Sequence, residues 1–147
     1  MNHNIVSLDR LSEAQRDEAT TILMDALAHV PSAWHDRPSA REETDSFVGN
    51  PERLGFALLE EGMPLGWIGA IRHYPQSWEL HPLVVRPGRQ REGIGSRLLT
   101  ALETQAEAEG VVALWLGTDD DFGGTNLYDR DLYPDVLGAL ASLAPTT

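Results

Sequence analysis

The chain has 147 residues, no cysteine, and 23 acidic against 11 basic side chains, for a net charge of −12. That length suits one domain around a single core, and without cysteine there is no disulfide or thiolate chemistry, so a cytoplasmic protein is expected. The acidic excess argues against nucleic acid, because neutralising phosphates needs a basic face; it serves either solubility or the attraction of a cationic ligand.

The first residues, Met1-Asn2-His3-Asn4, show no basic stretch followed by an apolar one. No run approaches the ~18 apolar residues of a membrane helix, so no membrane partner is expected. Residues 5–8 read as a short strand. Ser12 with Gln15 forms a capping-box signal, and Ala19, Ile22, Leu23, Ala26, Leu27 and Val30 follow at helical spacing. Residues 31–38, bounded by prolines, interrupt the pattern, and residues 40–48 predict a second, more polar helix. Residues 54–60 and 65–72 predict a hairpin around Glu61-Gly62-Met63-Pro64. Trp78, Leu80, Leu83, Val84 and Val85 make a strand interrupted by Pro82, which marks a bulge or an edge. A helix over residues 93–109 ends at Gly110, a C-cap glycine. Residues 111–116 are apolar throughout and read as an interior strand. No repeat, low-complexity tract or linker divides the chain, so residues 1–147 form one domain of α/β (α+β) class.

The loop between the Val85 strand and the next helix carries the chemistry. It reads Arg89-Gln90-Arg91-Glu92-Gly93-Ile94-Gly95-Ser96. At a helix start several backbone N–H groups lack intrahelical partners, and the helix dipole favours negative charge. Gly93 and Gly95 remove side chains that would keep an anion from those amides. Two arginines flank the spot, so a phosphorylated ligand is expected. It is not a dinucleotide fingerprint, because Leu98 stands where the third glycine is needed, and no Gly-Lys-Ser/Thr of a P-loop occurs. The five histidines, His3, His29, His35, His73 and His81, show no pair at metal-ligand spacing, and no metal is expected.

The pattern Gln90-x-x-Gly93-x-Gly95 after a strand resembles the acetyl-coenzyme A signature of the GCN5-related N-acetyltransferases. Asn50-Pro51-Glu52-Arg53-Leu54, Gly66-Trp67-Ile68-Gly69-Ala70-Ile71, the run from Trp78 to Val85, and Leu116-Gly117-Thr118-Asp119-Asp120 occur in that order. Together they resemble the aminoglycoside 6'-N-acetyltransferase branch, over roughly residues 50–133. The resemblance implies an acyl-CoA N-acyltransferase fold, a mixed and mostly antiparallel central sheet with flanking helices. It implies acetyl-CoA as cosubstrate, no metal, and acetylation of the 6'-amino group of an aminoglycoside, which confers antibiotic resistance. Within that resemblance, Gln90, Arg91, Glu92, Gly93, Ile94, Gly95 and Ser96 hold the pyrophosphate, and Val84 and Val85 pair with pantetheine by main chain. The backbone N–H of Leu83 polarises the thioester carbonyl beside a bulge in the strand, and Glu79 assists removal of the amine proton.

Several residues keep two readings. Glu79 either serves the site, desolvated by Trp78 and Leu80, or points to solvent on an alternating strand. His81 shares a face with Glu79 in a regular strand and is either a site residue or a satisfied structural histidine. Trp67 and Trp115 are expected in the core. Trp34 either lines the substrate cleft or belongs to a lid or packed loop. Asp119 and Asp120 either hold ammonium groups of the substrate or form an Asx-rich turn before Gly123-Gly124.

The resembled enzymes continue with a further helix and strands bearing a tyrosine suited to protonate the leaving thiolate. Here Tyr128 and Tyr133 do not occupy that motif, and the chain stops at Thr147. The expectation is a C-terminally incomplete fold in which a second chain completes the sheet as a homodimer. Two alternatives to an aminoglycoside enzyme follow. One is a catalytically impaired fragment that binds acyl-CoA or dimerises. The other is an acetyltransferase for a polyamine or a protein amine.

Overall fold

Local signals start and stop the first helices. The computed structural model describes residues 3–31 and 33–116. Strand β1 (His3–Ser7) runs through a 3-10 turn (Leu8–Arg10) into helix α1 (Glu13–Ala26). The capping box is formed: Ser12 Oγ accepts from the Gln15 amide at 3.2 Å, and Gln15 Oε1 accepts from the Ser12 amide at 2.9 Å. Helix α2 (Arg37–Asp45) starts before the expected residue 40. Asp36 caps it through the Ser39 amide at 3.0 Å, and Pro38, pre-set for helical φ, sits in the first turn. It also stops earlier than residue 48, and Phe47 turns into the core at 1% exposure.

Strands β2 (Arg53–Glu60) and β3 (Met63–Tyr74) form the expected hairpin. Glu60 opposes Met63, leaving the two-residue turn Glu61-Gly62 with φ of 50° and 83°. Two left-handed residues match the twist of a tight hairpin. Strand β4 (Ser77–Val85), helix α3 (Ile94–Ala108) and strand β5 (Ala113–Leu116) follow. The sheet order is β1-β2-β3-β4-β5, antiparallel through β4, with β5 parallel to β4. The mixed, mostly antiparallel sheet with flanking helices is thus the one expected.

Two cores lie on opposite faces. One joins Ala19, Ile22 and Leu23 of α1 and Ala40 of α2 to Trp67 and Val84; the other joins Ile94, Leu98 and Leu102 of α3 to Ile68, Trp78 and Leu80. Two sequence expectations change here. Trp78 and Leu80 lie in the α3 core, on the opposite face from Glu79, and do not surround its carboxylate, because strand neighbours alternate. Residues 111 and 112 are not strand: the Val111 amide closes α3 on the Ala106 carbonyl at 2.9 Å, beyond Gly110 with φ of 81°. Val112 is 79% exposed, and β5 is the outermost of the five described strands, half-buried along its length.

The irregularity that matters for function lies in β4. Ile68 opposes Leu83 while Ala70 opposes Leu80, so Gly69 alone faces both His81 and Pro82. This is a β-bulge, and the extra residue reverses which face later side chains take. Before it, Trp78 and Leu80 face α3; after it, Leu83 and Val85 do, and Val84 turns to α1. A side chain at Gly69 has no room, since its Cβ would stand 2.6 Å from Phe47 Cε1 and 2.9 Å from the His81 carbonyl. Gly69→Ala should therefore lower stability by about 1–3 kcal/mol through overpacking. Urea unfolding of the two proteins tests this, and an unchanged midpoint would contradict it.

Candidate active site

β5 pairs with only the first part of β4, from Ser77↔Ala113 to Leu80↔Leu116. Among the described residues, His81 to Val85 pair with β3 alone. On the α2 face of β4, Glu79 is 15% exposed and its Oε1 lies 2.6 Å from His73 Nε2. The His73 ring stacks on the Trp115 indole, centroids 5.5 Å apart and planes 26° apart. Trp115 is thus half-buried against His73 rather than a core residue. Next on this face, the His81 ring lies 5.7 Å from that of Trp34.

His81 Nδ1 is buried and has no hydrogen-bond partner among the described residues. Burial pushes the imidazole pKa below its ordinary 6.5; Glu43 and Glu79 pull it upward, and Arg53 adds to the lowering. His81 is accordingly neutral at pH 7. Arg53 is held by Glu43 at 3.4 Å and by Ser46 Oγ at 3.0 Å, over the Phe47 ring. The result is a wall of two carboxylates, two imidazoles and two indoles along one strand face. Of these, Trp34, Glu79 and His81 were expected as site residues from sequence; His73 and Trp115 were not.

The other end of β4 leads into the glycine loop. Gln90 Nε2 donates to the Val85 carbonyl at 3.4 Å, and a Cβ on Gly95 would meet only Val85 Cγ2, at 3.8 Å. Val85, Gln90 and Gly95 are therefore together. The loop needs left-handed backbone at Gly88, Arg91 and Gly93, with φ of 90°, 72° and 82°. For Arg91 that conformation costs roughly 1–2 kcal/mol. Gly93 is the N-cap of α3 and offers no side-chain cap. The first-turn amides, those of Ile94, Gly95 and Ser96, thus keep their hydrogens for another acceptor. Gly95 is not forced to be glycine by φ or by a clash within the chain. A helix start with uncapped amides and an open Cβ direction fits an anionic group.

One electrostatic expectation is corrected. Arg89 does not face the amides as a free cation: its guanidinium forks onto Glu60 at 3.1 and 3.0 Å and onto Glu92 at 2.8 and 3.0 Å. Glu60 also takes a hydrogen bond from His3 at 2.9 Å, and His3 in turn contacts Arg97 of α3. Arg89 and then His3 hold the Glu60 carboxyl down at about 2. The cluster ties β1, β2, the loop and α3 together, leaving Arg91 as the loop arginine without a described partner. Among the described residues, no group of three or more His, Cys, Asp or Glu side chains could hold a metal ion. None of the described helices is long and apolar enough to cross a membrane.

Residues 10–132 match the acetyltransferase (GNAT) family. The chain belongs to that family. Among solved structures, an aminoglycoside 6'-N-acetyltransferase complexed with coenzyme A shares 36% identity at a TM-score of 0.70, covering 95% of this chain and 74% of that one. The aminoglycoside 6'-N-acetyltransferase from Enterococcus faecium matches at 36% and 0.69 over the same shares. Aminoglycoside 6'-acetyltransferase type Ii matches at 33% and 0.67, over 80% of this chain and 72% of that one. No curated protein sequence matches the chain.

Asp119, Asp120, Tyr128 and Tyr133 lie outside the described residues. His73 was missed because its partner is set by cross-strand geometry. β3 and β4 slip between Ile71 and Tyr74, so an even count along the hairpin does not give the pair.

The Glu60 cluster yields a pH test. A carboxyl lowered from 4.5 to about 2 on folding stabilises the fold fully above the unfolded value and loses that contribution as pH falls towards 2. Glu60→Gln should therefore be less stable than the parent above about pH 5. The two denaturation curves should converge as the medium is acidified towards pH 2. A constant gap across that range would show that Glu60 does not titrate with folding.

Proposed function

We propose that this GNAT chain transfers the acetyl group of acetyl-coenzyme A to a primary amine, the 6'-amino group of an aminoglycoside. The observation that carries the reading is the partition of β4 by its bulge. Glu79 and His81 line an acidic, aromatic-walled face on one side, and Val84 and Val85 lead to the uncapped α3 amides on the other. The enzymes of about one-third identity are 6'-acetyltransferases of aminoglycosides, which supports that amine and that antibiotic class.

In this reading the amides from Gln90 to Ser96, with Gly93 and Gly95 keeping the approach open, receive the pyrophosphate, and Val84 and Val85 align the pantetheine by main chain. Acetyl-coenzyme A supplies the thioester from which the acetyl group is drawn. The protein does the rest by position and proton handling. An ammonium cannot attack, so Glu79, acting directly or through water, accepts a proton as the amine becomes nucleophilic. The Leu83 amide, first residue past the bulge, faces the carbonyl oxygen on which charge develops, a contribution typically worth about 2.7–4 kcal/mol per donor. Glu79, Glu43 and the overall negative charge attract a polycation, and Trp34 covers one side of it. A cytoplasmic homodimer belongs to the same reading: the lack of cysteine supports the compartment and the resemblance supports the dimer, which light scattering tests.

Thiol release from acetyl-coenzyme A in the presence of an aminoglycoside panel tests the activity, with spermidine as the competing amine. Activity confined to spermidine would replace the substrate. Glu79→Gln should reduce kcat by roughly 10²-fold, as expected for loss of a general base, with coenzyme A affinity unchanged. Gly95→Ala separates binding from folding: alanine should stabilise the free protein by about 0.4–1 kcal/mol yet weaken coenzyme A binding. Calorimetric titration showing equal affinity would remove the pyrophosphate from this position.

A further inference from the structure

The base assigned to Glu79 has a partner that the reaction does not yet use. His73 is the next-to-last residue of β3, and its Nε2 lies 2.6 Å from Glu79 Oε1, a short, charge-assisted contact across the strand pair. No other hydrogen bond to the Glu79 carboxylate is made among the described residues, so Oε2 is the free oxygen. Trp115 stands level with Glu79 in the parallel β4–β5 register, and the His73 ring stacks on its indole. The imidazole thus bridges from β3 over Glu79 to β5. Stacking fixes the ring plane, and the Nε2 contact fixes one carboxylate oxygen. The side chains are 41% exposed for His73 and 15% for Glu79, so the imidazole is the more solvent-facing member of the pair.

We propose that His73 is a positioning residue for acetyl transfer: its Nε2–H holds Oε1 of Glu79, directing Oε2 at the amine, while Trp115 holds the imidazole. The inference rests on the reading of Glu79 as the base. The arrangement has a chemical consequence. A carboxylate free to rotate divides its time among orientations, whereas one pinned by a single oxygen presents the other in a fixed direction. His81, the next site residue along β4, is acted on by the charges of Glu79, of Glu43 on α2 and of Arg53 on β2. None of His81, Glu43 and Arg53 is within hydrogen-bonding distance of Glu79. Among the described residues, His73 alone holds that carboxylate.

The test uses three single variants and one double, compared by kcat, by KM for acetyl-coenzyme A and for the amine, and by thermal midpoint. His73→Phe keeps a ring to stack on Trp115 and removes the N–H; His73→Gln restores a donor without the ring. His73→Phe should lower kcat roughly tenfold, the size of one hydrogen bond to a charged group. KM for acetyl-coenzyme A and the thermal midpoint should hold, and His73→Gln should recover part of kcat. In a Glu79→Gln background, His73→Phe should cost nothing further, because a residue acting through Glu79 has nothing left to position. A loss in Glu79→Gln with a silent His73→Phe would overturn the positioning role alone. So would an equal tenfold loss in both backgrounds. Wild-type turnover in Glu79→Gln would instead overturn the base reading beneath it. Should His73→Phe fold poorly, the comparison of His73→Gln with and without Glu79→Gln decides by the same criterion.

Discussion

The bulge at His81-Pro82, opposite Gly69, is the constraint on which the site depends. A regular strand presents one set of alternate residues to each face from end to end. With one residue inserted, Glu79 and His81 look towards α2, while Leu83 and Val85 look towards α3. A single backbone irregularity therefore changes, within five residues, which side chains of β4 each face of the sheet receives. Gly69 makes it possible, because Phe47 fills the space beneath and the His81 carbonyl fills the space beside. The core under the bulge and the site beside it are thus one packing problem.

The glycine loop shows a second economy, in charge. Arginines near a phosphate site are readily taken as ligands, yet Arg89 directs four of its five N–H donors to Glu60 and Glu92. Its task is to fix the loop to the β2 end, where His3 and Arg97 extend the same network. What remains for an anion is mainly backbone: uncapped amides at the start of α3, with Arg91 held in a strained left-handed conformation nearby. Strain of that kind persists only where surrounding structure imposes it.

Much of this was legible in the sequence, for local reasons. The Ser12–Gln15 capping box, the Gly110 stop, the Glu61-Gly62 turn and the glycine-started α3 are each settled by residues within a few positions of one another. Pro82 marked the bulge. What was not legible depends on distance through space. Glu60 and Arg89 are far apart in sequence, so nothing local reveals that the arginine is neutralised. The desolvating role given to Trp78 and Leu80 failed because adjacent strand residues face opposite ways. Trp115 was placed in the core by the apolar run around it, yet its parallel register with Glu79 puts it beside His73. His73 itself sat in an unremarkable Arg-His-Tyr stretch. Only the slip in the β3–β4 pairing brings it to the carboxylate.

A net charge of −12 and an anion site on one small protein are compatible because the two act over different ranges. At physiological ionic strength, charges separated by more than about 8 Å are largely screened. An anion already at α3 is governed by the amides and dipole it touches, not by distant carboxylates. A polycation approaching the Glu79 face meets carboxylates at contact distance as well as the residual field. Electrostatic steering therefore favours the proposed amine over the proposed coenzyme, and the bias should grow as salt is lowered. Local backbone geometry must then supply what the overall charge withholds. This explains why the α3 start keeps glycine at Gly95, where the fold itself would accept a side chain. In the proposed reading its missing methyl group keeps the α3 amides within reach of an anion.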